Sequence, residues 1–164
     1  FAAVSAKAWE VVKQDRTVPR FFWDFRRAKA ALEKGETAFT PPISLVYGLR
    51  EALRMIAEEG LASVIARHRR LSAALRAGCR ELGLEPFNRA SVASSTVVAV
   101  NVPRGLEGAA IVAHLRERYG TVIAGSRSPR LHNKVIRIGT MGAVSDADIK
   151  TDLLHLEATL KDLA

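Results

Sequence analysis

The sequence predicts an α/β protein whose second half is a small α+β sandwich, a mostly antiparallel sheet covered by helices. Three observations predict it. From residue 96 onward the patterns run strand, helix, strand, strand, helix, an order that builds a sheet with helices packed on one face. Before that, residues 43–83 carry apolar residues at helical spacing. Finally, Lys134-Val135-Ile136-Arg137-Ile138-Gly139-Thr140-Met141-Gly142 reads as a short apolar strand closed by two glycines, with one arginine among its apolar residues.

Size and composition suit a packed globular chain. It has 164 residues, 48% hydrophobic and 26% charged, enough apolar material for a core and too much for disorder. The net charge is +8, but the basic residues are scattered. Their one cluster, Arg67-His68-Arg69-Arg70, lies between apolar Ile65 and Leu71 and reads as the solvated face of a helix. Aromatic residues make up 6% and do not interleave with the basic ones, as a single-strand nucleic-acid surface requires. No apolar run is long enough to cross a membrane as a helix. Neither nucleic acid nor membrane is an expected partner. The lone Cys79 cannot form an internal disulfide, which favours a reducing, cytoplasmic setting. It falls in a helical pattern as a small core residue.

The elements follow in order. Residues 1–5 read as an extended run without a cap, as if the sequence opened within a fold. Residues 6–13 form two turns of helix, with Trp9 and Val12 on one side, and Val18-Pro19 marks a stop. Asp24 is a plausible N-cap for a helix over 25–34, which Gly35 ends. Pro41-Pro42 forces residues 36–42 to be extended. Leu45, Val46, Leu49, Leu53 and Ile56 then recur on one helix face. After Gly60 the period continues through Leu61, Val64, Ile65, Leu71, Leu75, Cys79 and Leu82. His68 in this register reads as a partly buried helix residue. Residues 88–95 are a strand or loop edge. Residues 96–102 are a strand ended by Pro103. Residues 108–119 are a helix with Ile111, Val112 and Leu115 inward and Gly120 as its C-cap. Residues 121–123 are a short strand, and 125–130 a loop. Ser145 and Asp148 form a weak capping box for a last helix carrying Leu153, Leu156, Leu160 and Leu163.

Arg137 is the residue that asks for an explanation. A guanidinium in an apolar strand needs an anion if it is desolvated. No carboxylate precedes it within six residues, and the next after it is Asp146. A ligand, a distant part of the protein, a structural ion pair and an edge arginine reaching solvent all remain open. The sequence has no GxGxxG, Walker loop, HExxH, CxxC or nucleophile elbow, so a self-contained active site is not visible.

Four segments resemble one family, in order and with compatible spacing along essentially the whole chain. Val4-Ser5-Ala6-Lys7-Ala8-Trp9-Glu10 is similar to the segment downstream of the cofactor lysine in class V aminotransferases of the alanine/serine–glyoxylate group. Thr37-Ala38-Phe39-Thr40-Pro41-Pro42-Ile43-Ser44-Leu45, with Leu49-Arg50-Glu51-Ala52-Leu53, resembles their inter-domain segment. Val122-Ile123-Ala124-Gly125 resembles their second small-domain strand. Arg137-Ile138-Gly139-Thr140-Met141-Gly142, with Ser145 and Asp148 beyond it, resembles their Arg-Ile-Gly-His-Met-Gly stretch, with Thr140 in the place of the histidine.

The resemblance implies a fold type I, pyridoxal-phosphate-dependent transferase acting as a homodimer. It would move an amino group from a small amino acid of serine or alanine type to glyoxylate or another 2-oxo acid. Residues 1–43 would be the end of the large domain, 44–82 long linking helices, and 83–164 the C-terminal small domain. Arg137 would bind the substrate carboxylate through two parallel donors. Thr40, and with it Thr37, would reach the phosphate of the partner subunit's cofactor. Gly139 and Gly142 would form the tight turn beside the substrate. The Schiff-base lysine would lie upstream of the point that Phe1 matches, so this chain alone would not transaminate. Lys7 fits a surface helix start rather than that role. Two other readings stand beside this one: a class V lyase or desulfurase, and a non-enzymatic basic α/β binding module.

Overall fold

The computed structural model describes residues 2–14 and 18–164. The chain divides into two compact units, residues 1–55 and 56–164.

The first unit holds α1 (Ala6–Gln14), α2 (Phe25–Leu32) and most of α3 (Ile43–Glu59). Ser5 caps α1, its Oγ accepting from Ala8 N at 3.3 Å. The expected extended run makes no strand over residues 2–5, and Phe1 lies outside the described residues. Asp24 caps α2 as its residue type predicts: Oδ1 accepts from Arg26 N at 2.9 Å, and the same carboxylate binds the Arg26 guanidinium. Gly35 follows at φ +74°, a conformation other residues enter at a cost. Phe21, Phe22 and Phe39 pack with ring centroids 4.5–5.3 Å apart, and the Arg27 guanidinium lies 4.6 Å from the Phe21 ring. Pro41 and Pro42 end the extended segment and α3 begins at Ile43. The apolar stripe of α3 is real but uncovered. Leu45 is 71% and Leu53 55% exposed, and Trp23 beside α2 is 83% exposed.

The second unit contains α4 (Leu61–Glu81), β1 (Val97–Asn101), α5 (Gly108–Tyr119), β2 (Ala124–Gly125), β3 (Val135–Gly139) and α6 (Asp146–Leu163). The sheet order is β1-β3-β2, and both pairings are antiparallel. The arginine strand is therefore the central one. Val98 pairs with Ile138 and Val100 with Ile136; all four are buried against Leu71, Leu75 and Cys79 of α4, Ile111 and Leu115 of α5, and Ile149 and Leu156 of α6. The outer edge of β1 is met by residues 85–87, where Asn101 N donates to Glu85 O at 2.8 Å and Phe87 N to Ala99 O at 2.9 Å.

Local signals set most element ends. Gly60, between α3 and α4, has φ +83°. Gly120 closes α5 in the left-handed conformation at φ +67°. Ser145 and Asp148 make a full capping box on α6. Of the two alternatives for residues 88–95 the loop is found, with a single 3₁₀ turn at Ala90–Val92. One expectation needs correction: the strand expected over 121–123 begins later, at Ala124. Thr121 is already used: its N–H donates to Leu115 O at 3.1 Å, closing the end of α5, and its hydroxyl binds His155 Nδ1 at 2.7 Å. Val122 is exposed and Ile123 drops into the core, so the ladder forms only beyond them.

Two stability measurements test this packing. Leu75 is fully buried, and Leu75→Ala should cost roughly 2–5 kcal/mol in denaturant unfolding of the second unit. Ser145→Ala should lower the melting temperature by roughly 2–4 °C at neutral pH. The Ser145 hydroxyl and backbone hold the Asp148 carboxyl below the usual carboxylate range. That contribution is present above the unfolded carboxyl's pKa and is lost as pH falls through the folded value. The gap between parent and Ser145→Ala should therefore narrow on acidification, as thermal melts across the carboxylate range would show.

Candidate anion-binding site

Side chains alternate across a strand. Ile136 and Ile138 enter the core, so Arg137 must point to the opposite face of the sheet, where it is exposed. Its cross-strand neighbours are Ala99 on β1 and Ala124 on β2. Two methyl side chains flank the guanidinium and leave the space beside it open. Arg137 Nη2 donates to Gly125 O at 3.0 Å. That contact aims the group, and no carboxylate pairs with it among the described residues. Desolvation therefore does not require an anion here, and a structural ion pair does not occur. The arginine is a solvent-facing cation on the central strand, not on an edge.

The guanidinium borders an open depression of about 640 Å³ lined by Ala124, Gly125, Ser126, Arg127, His132 and Arg137. Its floor is the edge strand β2, and its rim is the β2–β3 link. That link is held along its length. Ser126 N donates to Val135 O at 3.1 Å, Leu131 N to Ser128 O at 3.0 Å and Lys134 N to Leu131 O at 3.1 Å. Asn133 sits at φ +58°. Its Oδ1 accepts from Ala109 N at 3.1 Å, and its carbonyl accepts from Gly108 N at 3.0 Å. The approach is close at Gly108, where a Cβ would come within 3.2 Å of the Asn133 carbonyl oxygen and push that backbone back by a few tenths of an ångström.

Beyond β3 the chain is equally well tied. Thr140 is fully buried; its N–H donates to Thr96 O at 2.8 Å and its hydroxyl to Ser95 O at 3.1 Å. It closes the sheet rather than facing a ligand. Arg67 donates to Gly142 O at 3.1 Å and Val144 O at 3.0 Å, while its other nitrogens bind Glu59 at 2.7 and 2.8 Å. Gly142 takes φ +82°, as a turn glycine would. Gly139 is still in the strand, paired with Val97, so only the second glycine makes the turn.

Several other chemistry-bearing residues are engaged elsewhere. Arg70 pairs with Asp146, so two of the three arginines in the Arg67–Arg70 run are spent on internal contacts. His68 Nδ1 lies 2.8 Å from Val64 O within its own helix. Burial pushes the Cys79 thiol up to about 11, which keeps it protonated and unreactive near neutral pH. His114 meets Thr159 and Asp162, and His155 stacks on Tyr119 at 4.5 Å, both between α5 and α6.

Thr37 and Thr40 lie in the first unit, apart from the arginine strand in the division of the chain. The Thr37 hydroxyl donates to Phe39 O at 2.7 Å, so its proton is taken. Thr40 is exposed, and its hydroxyl has no partner among the described residues. No side-chain bond joins it to the first turn of α3 among the described residues. A phosphate needs donors, and of the two threonines Thr40 has one to offer. Lys7 is exposed on the first turn of α1, as a surface helix start should be.

Arg127 was read in the sequence only as part of a loop, and His132 was given no role. A signal was present: between Glu117 and Asp146 the chain has no acidic residue but carries Arg118, Arg127, Arg130, Lys134 and Arg137 with His132.

Comparison with known proteins places the chain in a family. The family described as Aminotransferase class-V matches residues 23–151. The soluble hydrogenase small subunit of Synechococcus sp. is 37% identical over 163 residues, which are 99% of this chain and 42% of that protein. The serine–glyoxylate aminotransferase of Arabidopsis thaliana is 37% identical over 161 residues, 97% of this chain and 40% of that protein. The crystal structure of alanine–glyoxylate aminotransferase from Nostoc sp. superposes with a TM-score of 0.87 at 29% identity, over 95% of this chain and 42% of that one. The chain thus spans about two fifths of the length of these relatives. With most of its length matched and its α/β architecture shared, the chain belongs to the class-V aminotransferase family.

Proposed function

We propose that the protein carrying this chain is a pyridoxal-phosphate-dependent transaminase that moves an amino group from a small amino acid to glyoxylate or another 2-oxo acid, and that Arg137 holds the substrate's α-carboxylate. One observation carries the reading: a guanidinium fixed on the open face of a central strand, between two alanines, with no carboxylate paired to it among the described residues. Such a group offers two parallel donors in a plane and so sets a carboxylate's orientation as well as its charge. The donor and acceptor named for the Arabidopsis relative are serine and glyoxylate, which supports an amino-acid donor and a 2-oxo acid acceptor here.

Pyridoxal phosphate, when bound, supplies an electron sink for the charge left as the Cα–H bond breaks. The residues of this chain bind and orient. Arg137 fixes the substrate's carboxylate end, which restricts rotation about Cα and so the direction of the bond to be broken. Thr40 is the residue with a hydroxyl proton free for the phosphate, and Pro41 and Pro42 beside it reduce the entropy cost of holding it there. The uncovered apolar stripe of α3, Leu45, Leu49 and Leu53 among it, supports assembly with the remainder of such a protein and with a second copy in a homodimer. A desulfurase reading is not favoured by Cys79, whose thiol is buried in the core.

In the holoenzyme, Arg137→Ala should raise the amino-acid dissociation constant on the order of a hundredfold, the loss of about 3 kcal/mol from a charge-assisted pair. Cofactor absorbance should be retained. Unchanged amino-acid affinity would remove the carboxylate role. In the same protein, Thr40→Val should weaken pyridoxal phosphate binding roughly tenfold or more, whereas Thr37→Val should leave it nearly unchanged. Equal losses at both threonines, read by equilibrium dialysis of the cofactor, would contradict the distinction drawn from their hydrogen bonds.

A further inference from the structure

We propose that the depression beside Arg137 binds a second anionic group, and that Arg127 is the side chain that holds it, so that one of the two substrates is a dianion such as a dicarboxylate. The inference rests on Arg137 holding the α-carboxylate, and it adds the chemistry of the substrate's other end.

The depression contains two arginines and a histidine and no acidic side chain. Arg127 is exposed, and no carboxylate pairs with it among the described residues. Both guanidiniums are always protonated. A monocarboxylate would neutralise Arg137 alone and leave a second cation facing the same space. A ligand with an anion at each end satisfies both, with charge-assisted bonds at each.

The link that carries Arg127 is held in place. Ser126 N is bonded to Val135 O at 3.1 Å, so the residue after it is anchored at the end of the β2–β3 ladder. The Ser126 oxygen accepts from Ser128 N at 3.3 Å. Its own proton stays available to donate to an anion in the depression. His132, on the same rim, contributes a further nitrogen donor. The flanking residues, Ala124 and Gly125, are small and leave room for a ligand between the two arginines. No acidic side chain lines the depression itself; Glu117 lines a neighbouring hollow that shares Gly125, Ser126 and His132 with it.

The second anion could be a carboxylate or a phosphoryl-type group, and three probes separate these cases. Butyrate, succinate and 3-phosphonopropionate are titrated into the pyridoxal-phosphate-loaded full-length protein by calorimetry. Either or both of the dianions should bind roughly tenfold or more tightly than butyrate, and the tighter of the two identifies the second group. Arg127→Gln should bring the dianions to within about twofold of butyrate while butyrate itself binds as before. Parent protein with no preference for a dianion, or Arg127→Gln that keeps the preference, would overturn the proposal. Arg137→Gln tells the two readings apart. It should weaken all three probes; if butyrate is unaffected, the carboxylate role of Arg137 fails, while the Arg127 comparison still stands. Both side chains are exposed, and thermal melts confirm that each variant is folded.

Discussion

The second unit depends on β3 being the central strand of an antiparallel sheet covered by helices on one face only. Ile136 and Ile138 pair with Val100 and Val98 and enter the core. With those two positions fixed inward, the period of two leaves Arg137 one orientation, outward. A slip of one residue would bury the guanidinium and expose two isoleucines. At about 25 cal/mol per Å² of apolar surface, and with the far larger penalty for an unpaired buried cation, such a slip is excluded. Core packing thus aims a functional group without any contact of its own to that group.

The other features of the site refine that orientation. Ala99 and Ala124 flank the arginine, and the Gly125 carbonyl takes one of its N–H groups. The chain before β3 is anchored to the start of α5 through Asn133, and the chain after it is anchored through Thr140 and Arg67. Arg67 is a cation used structurally: a carboxylate and two carbonyls occupy its nitrogens, and Glu59 holds its proton more firmly than usual. The contrast with Arg137 is informative. Both are arginines in the second unit, but Arg67 makes four side-chain hydrogen bonds and Arg137 makes one.

Much of this was legible in the sequence because the signals are local. Asp24, Gly60, Gly120 and the Ser145–Asp148 pair each set a helix end through a hydrogen bond or a backbone angle within a few residues. The apolar alternation around Arg137 located the arginine strand. What the sequence concealed depended on distant partners. Thr121 looked like the start of a strand, yet α5 and His155 claim its hydrogen bonds. The periodicity of α3 shows only that one of its faces is apolar, not what covers it. The sequence put Thr40 ahead of Thr37 but did not show that the Thr37 hydroxyl is on the Phe39 carbonyl. Arg127 and His132 reach the arginine's surroundings only through the β2–β3 link, whose path no spacing rule describes.

The central claim is that Arg137 recognises a carboxylate, and the most direct measurement removes the charge from each partner in turn. The holoenzyme and its Arg137→Ala variant are each titrated with an amino acid and with the corresponding amide. In the parent, the acid should bind on the order of a hundredfold more tightly than the amide, and in the variant the two should bind alike, giving a coupling of about 3 kcal/mol. A preference for the acid that survives loss of the arginine would show that another group reads the carboxylate and would contradict the account.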